Sequence, residues 1–223
     1  LGNDLCSFPD FSVVAAGVGA SEMSFQETPK FIFFTNGAVI GYIQNRTAYA
    51  VPSPTELNRV RIFPGSCLDF YKARLFWAVA NVLYFSDAFK LFQTDLRYNF
   101  KQFPADIDLI AAGEYGVWVA AGTRTYYLSG NNPHQFTATE VAPYGAKRGS
   151  KTYVDGQKIR GDLGKRTPVW ASHEGIVVGT PTGDLINLTN EKYIMPDGSK
   201  AALVARDRKD TGAGYLQLIT SLR

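Results

Sequence analysis

GVWVAAGTRTYYLSG, Gly116 to Gly130, has two short arms that are apolar at almost every position, on either side of a polar, Gly-containing turn. A strand covered on one face alternates apolar and polar residues, whereas a strand covered on both faces reads as a continuous apolar run. The stretch therefore reads as an antiparallel hairpin, Gly116 to Ser129, turning near Ala121-Gly122 and buried on both sides. Three other stretches repeat the pattern of apolar arm, small turn and apolar arm: RLFWAVANVLYFSD from Arg74, GIVVGTPTGDLINLT from Gly175 and, more loosely, GAVIGYIQNRTAYAV from Gly37. Their starts lie 37, 42 and 59 residues apart. The first two intervals match one four-stranded propeller blade, and the third implies an insertion.

The expected fold is thus all-β, a β-propeller or partial propeller of about four to five blades of antiparallel strands. Each hairpin supplies the two buried strands of a blade, and the more polar KLFQTDLRYNFKQF and HQFTATEVAP supply exposed outer strands and crossings. In the Gly175 copy the turn is placed near Thr182-Gly183. Trp77, Trp118, Val119, Tyr127, Trp170 and Val178 are the expected core between blades. A sandwich or barrel of short strands is the competing architecture. Only Pro54 to Phe63 offers a helical turn or two.

A chain of 223 residues, 45% hydrophobic and 19% charged, is expected to form one globular domain over residues 1–223. Its start at Leu1 also fits a processed product or a fragment of a larger ring. No apolar run approaches the ~18 residues of a membrane span, and LGNDLCSFPDF lacks the features of a signal peptide. Cys6 and Cys67 are read as buried thiols. The glycosylation patterns at Asn45 and Asn187 are read as chance matches.

The charge is concentrated in one place. Within 145–166, read as a basic loop insertion, stand Lys147, Arg148, Lys151, Lys158, Arg160, Lys165 and Arg166 against Asp155 and Asp162. Such a segment is either a solvated loop or a contact for DNA or an anionic protein surface, and these seven cations are the candidate binding residues. GAKRGSKT, Gly145 to Thr152, resembles a phosphate-binding loop, but no helix pattern follows it. His134 and His173 stand alone in turn contexts, and no nucleophile signature or metal-ligand spacing occurs. Asp69, Asp87, Asp106, Asp108 and Glu114 would have to converge to act as glycosidase carboxylates, and most sit where Asp forms turns, as Asp184 does. No catalytic residue, metal or cofactor is assigned.

The succession RLFWAVANVLYFSDAF, FKQFPADIDLIAAGEYGVWVAAGTRTYYLSGNNPHQF and PVWASHEGIVVGTPTGDLINLTNEKY resembles the propeller-type virion proteins of tailed bacteriophages, found in tail hubs, nozzles and tail tips. The likeness covers about Phe70 to Thr220. It implies a non-enzymatic structural subunit of the virion tail, assembled in the host cytoplasm. Its partners would be other tail proteins or fibres, copies of itself around the tail axis, and DNA in a conduit. The alternatives are an intracellular β-propeller scaffold for protein interactions and, third, a propeller glycoside hydrolase. The scaffold reading lacks the recurrent Gly-His and Trp-Asp pairs of WD repeats.

Overall fold

The structure, a computed structural model, describes residues 4–6, 12–19, 21–189, 192, 195–196, 201–208 and 215–222. The chain divides into two compact units, Leu1–Gln102 and Phe103–Arg223. Among the described residues the secondary structure is strands joined by turns, with two short 3-10 turns, Pro133–Gln135 and Gly156–Lys158.

The first unit holds two four-stranded antiparallel blades. Blade one runs through Ser24–Glu27, Ile32–Thr35, Ile40–Gln44 and Thr47–Ala50. Blade two is built from Leu68–Tyr71, Arg74–Val79, Val82–Phe85 and Phe100–Gln102. Between the last two of these the chain makes an excursion, in which Gln93–Thr94 pairs with Val60–Arg61 to form a separate ribbon. Leu5–Cys6 pairs with Val13–Ala15. Hairpin turns between twisted strands demand positive φ at both central residues. Asn45-Arg46 and Lys72-Ala73 both comply.

Phe33, Val51, Ile62, Leu68, Leu75 and Trp77 form the core between these blades. The Thr35 hydroxyl pins the contact by accepting from the Gly65 N–H at 3.0 Å and donating to the Val39 carbonyl at 2.8 Å. Cys6 and Cys67 are not joined in a disulfide and are only half-buried, which corrects their reading as buried thiols. Pro54 to Phe63 contains no helix. Two of its residues join the ribbon instead.

The second unit repeats the scheme. Blade three is Ile107–Ala112, Gly116–Ala121, Arg124–Ser129 and Thr137–Ala142, and blade four is Thr152–Val154, Thr167–Ser172, Gly175–Gly179 and Leu185–Asn187. A longer hairpin, Ala201–Arg208 with Tyr215–Leu222, packs Leu203, Ala205 and Leu218 against Val154, Val169 and Val178 of blade four. Every residue of Gly116–Ala121 and of Thr167–Ser172 is buried, while the outer strand is exposed from Thr137 to Glu140. The continuous apolar run of the quoted stretch thus has its physical cause. The side chains on both faces of this strand are buried, and Trp118 meets Trp170 across the seam between blades three and four at 5.7 Å between ring centroids. All six expected core residues are buried between strands of this kind.

The repeat is confirmed in kind and corrected in phase. The stretches from Arg74 and Gly116 are the second and third strands of their blades, but those from Gly37 and Gly175 are third and fourth strands. The true counterparts of Gly116–Ala121 begin at Ile32, Arg74 and Thr167, so the intervals are 42, 42 and 51 residues. The extra length falls between Val154 and Thr167, narrower than the loop read over 145–166. Thr152–Val154 is itself a strand, and Leu163 is buried in the blade-four cluster.

Candidate functional site

The seven cations read from the sequence meet different fates, set by where the chain enters blade four. Ala146 bridges Ser172 and the Lys147 N–H donates to Ala171, so this stretch lies along the buried second strand. Lys147 is consequently only 4% exposed. Its ammonium donates to the Pro196 carbonyl at 2.7 Å and lies 3.3 Å from Nδ1 of His173. Lys147 is an internal tether and leaves the set of surface contacts. Ser150, also buried, donates to the Lys147 carbonyl and accepts from the Ala171 N–H. The phosphate-loop likeness therefore ends in a bend packed on a strand, without the helix terminus that would face a phosphate.

Arg148 reaches back to blade three, where Nε and Nη2 both donate to one oxygen of Asp108, at 3.1 and 2.8 Å. Tyr153 joins the first strands of the two blades, its hydroxyl accepting from the Ala112 N–H at 2.9 Å. The Arg166 guanidinium stacks 3.6 Å from the Tyr153 ring centroid, and Lys151 approaches the same ring at 5.7 Å. Arg160 forks onto Asp162, which holds the Asp162 carboxyl below the ordinary range and raises the guanidinium. Lys158, Lys165 and Arg166 are exposed. The structure thus gathers Lys151, Tyr153 and Arg166 into one aromatic and cationic platform beside Lys165. Lys147 is taken inward, and Arg148 and Arg160 are ion-paired.

Two of the carboxylates serve local contacts. Asp108 is held by Arg148. Asp184 closes the Thr180–Asp184 turn, its N–H bonded to the Thr180 hydroxyl and its carboxylate accepting from Thr182. Among the described residues no group of three or more His, Cys, Asp and Glu is placed to hold a metal ion, and no helix is long and apolar enough to cross a membrane.

A second polar cluster escaped the sequence reading apart from Asp87. It clasps the ribbon of the first unit to blade two. The Asp87 carboxylate accepts from Arg59 Nε at 2.5 Å, Asn99 at 2.8 Å and Gln93 at 3.2 Å. Asp95 accepts from Arg59 Nη1 at 2.8 Å and from the Arg97 fork at 2.9 and 2.7 Å. Burial pushes the Asp87 carboxyl up, but its three donors outweigh burial and leave it lowered. The Arg97 bonds hold Asp95 far below the usual carboxylate range. Glu56 is lowered by its hydrogen bond from Lys90, which fastens the same ribbon from outside. Nothing in the spacing of these residues marks them as partners, because the ribbon brings Arg59 to residues 28 and 36 positions later.

No family model matches the chain, and no curated protein matches it. Several solved structures do. Hsv2p of Kluyveromyces lactis is 11% identical with a TM-score of 0.44, the match covering 74% of this chain and 49% of that one. Hsv2 of Kluyveromyces marxianus gives 11% and 0.41 over the same shares. A Kluyveromyces lactis Hsv2 with complete loop 6CD gives 9% and 0.38, covering 89% of this chain and 97% of that one. The chain spans about half the length of the first two. These neighbours are β-propellers, and the likeness concerns the fold alone. Among the described residues the chain is all-β, of propeller type, with four four-stranded antiparallel sheets.

Proposed function

We propose that this chain is a non-enzymatic propeller-type scaffold that binds other macromolecules through surface loops. The observation that carries this reading is the division of labour among its side chains. The blade strands are committed to packing, and Asp87, Asp95, Asp108 and Asp162 are committed to arginines. The Lys151, Tyr153, Lys165 and Arg166 platform lies at the surface of the second unit, with Lys165 and Arg166 exposed and Lys151 and Tyr153 half-buried. Stability resides in the seams, so loops are free to vary and to recognise partners. An anionic surface is the partner chemistry such a platform fits.

The finer reading is a tail subunit of a bacteriophage virion, supported by the resemblance of the three quoted segments. None of the solved structures described above is a tail protein. The test is to tag the full chain in the cell that makes it and size the native complex. Recovery in a complex well above 24.5 kDa supports the scaffold. Recovery as a free chain that turns over a glycoside saturably would overturn it. Co-purification with assembled phage particles would select the tail reading.

A further inference from the structure

Asn36-Gly37 is the only asparagine–glycine pair in the chain. It opens the loop from Asn36 to Val39 that joins Ile32–Thr35 to Ile40–Gln44 in blade one. The Asn36 side chain is committed to three backbone groups. Its Oδ1 accepts from the Ala38 N–H at 3.1 Å and the Val39 N–H at 3.0 Å, and its Nδ2 donates to the Val18 carbonyl at 2.8 Å. The first two are the local bonds by which asparagine shapes a turn. The third reaches another part of the chain. Val18 is buried and follows the ribbon of Leu5–Cys6 and Val13–Ala15, where the Gly17 N–H also donates to the Asp4 carboxylate. One side-chain amide thus fastens the N-terminal ribbon to blade one.

The same amide is chemically perishable. Glycine offers the least hindered backbone nitrogen, and Gly37 is exposed, at φ +88°, with nothing within 4 Å of an added Cβ. The bonds to Ala38 and Val39 fold the carboxamide over the Gly37 peptide. They also aim two N–H dipoles at the oxygen on which negative charge develops when Cγ is attacked. We propose that Asn36 is a self-modifying fastener: the Gly37 nitrogen attacks Cγ, and loss of the amide releases the ribbon. The Gly37 nitrogen gives its proton to hydroxide and forms a bond to Cγ. The Cγ–Nδ2 bond breaks, and the leaving nitrogen takes a proton from water and departs as ammonia. The five-membered imide then adds water at either carbonyl and opens to isoaspartate or aspartate.

Either product can still accept from Ala38 and Val39, but neither can donate to Val18. A carboxylate oxygen would stand where Nδ2 stands, opposite the Val18 carbonyl oxygen. Leaving a buried acceptor without its donor costs more than the bond contributes on balance. Isoaspartate also adds a methylene to the backbone of a loop whose Val39 carbonyl holds the Thr35 hydroxyl. The release is irreversible, so it is timed by the age of the molecule. The inference goes beyond the scaffold reading and does not rest on it.

The test ages the purified full chain in mildly alkaline buffer and follows the conversion of each asparagine by peptide mass spectrometry. Asn36 is expected to convert at least tenfold faster than Asn45, Asn58 or Asn99, chiefly to isoaspartate, and faster still as pH rises. Gly37→Ala should slow it at least tenfold, circular dichroism confirming that the variant is folded. Hydrogen–deuterium exchange reads the fastener. Amides from Val13 to Val18 should exchange at least tenfold faster in Asn36→Asp and in the aged parent, while those of Gly116–Ala121 stay unchanged.

The aged parent was folded before it reacted, so it settles the matter if Asn36→Asp fails to fold. An intact Asn36 while other asparagines convert, or conversion indifferent to Gly37→Ala, would overturn the site. Conversion with unchanged exchange from Val13 to Val18 would overturn the fastener. A free peptide from Phe34 to Gly41 carries the same pair without the fixed donors. A folded-chain rate more than a hundredfold below that of the peptide would show that the loop holds the carboxamide out of reach, and would overturn the proposal.

Discussion

Gly179 ends the third strand of blade four beneath the indole of Trp118 in blade three. A Cβ built there would lie 2.5 Å from Nε1, 2.7 Å from Cε2 and 2.9 Å from Cδ1 of that ring. Carbon contacts are comfortable near 3.5–4.0 Å, so alanine falls roughly an ångström short of room. The ring cannot swing aside. Trp118 is fully buried, with Tyr127 at 4.7 Å and Trp170 at 5.7 Å between centroids. Overpacking of a filled core costs about 1–3 kcal/mol, and the rigidity of an indole places Gly179→Ala toward the upper end. Urea unfolding followed by tryptophan fluorescence and circular dichroism should show a lower midpoint with an unchanged slope. Gly161→Ala is the control, because nothing lies within 4 Å of its added Cβ. That change should stay within about 0.5 kcal/mol. Trp118→Phe shortens the ring system, so part of the Gly179→Ala cost should vanish in the double variant as a coupling energy. A neutral Gly179→Ala, or a cost unaltered by Trp118→Phe, would refute the claim that this seam is packed to its limit.

Trp77, the fully buried counterpart in the first unit, should lose about 3–5 kcal/mol on replacement by alanine, read from the same urea titration. The Asp87 and Asp95 carboxyls are depressed in the folded state, so the stability they confer is complete above the ordinary aspartate range near pH 4 and is lost as pH falls through their lowered values. Asp95→Asn should lower the urea midpoint at pH 7 and flatten its decline below about pH 4; an unchanged acid slope would count against the clasp. Replacing Lys151, Lys158 and Lys165 by serine should leave folding within about 0.5 kcal/mol per site. Including Lys147 and Arg148 should cost measurably more, because the first tethers Pro196 and the second binds Asp108, and equal melting temperatures for the two sets would contradict that difference.

The all-β class and the blade length were legible because burial on both faces leaves a direct trace, a strand with no polar residue to spare. Phase was not. TAYA after Asn45-Arg46 and LIN after Asp184 also read as apolar arms, although they are fourth strands with exposed or half-buried side chains. Small and β-branched residues suit a buried strand and a bare edge equally well. The tryptophans carry the phase instead. Trp77, Trp118 and Trp170 all lie on second strands, and Phe33 takes that place in blade one. An alignment on these four aromatics finds the counterpart strands, at intervals of 44, 41 and 52 residues.

Charge was legible as composition but not as placement. Lys147 and Lys165 look alike in the sequence, yet one lies along a buried strand and the other faces solvent, because the bridge from Ala146 to Ser172 forms before the excursion begins. The clasp of Arg59, Asp87 and Asp95 was hidden for a related reason: its members meet only where a two-residue ribbon returns beside blade two. The positive φ of Phe89, +62° at the third position of the turn Asp87 to Lys90, was the least visible of all, since no turn rule selects an Ala-Phe pair. Local preference and global fold agree through most of a well-folded chain, and their disagreements mark sites retained for another purpose. Within the first unit the disagreement lies at the outer end of the most heavily ion-paired excursion. Folding alone would be served by glycine or asparagine at that position, because the third place of the Asp87–Lys90 turn takes a positive φ.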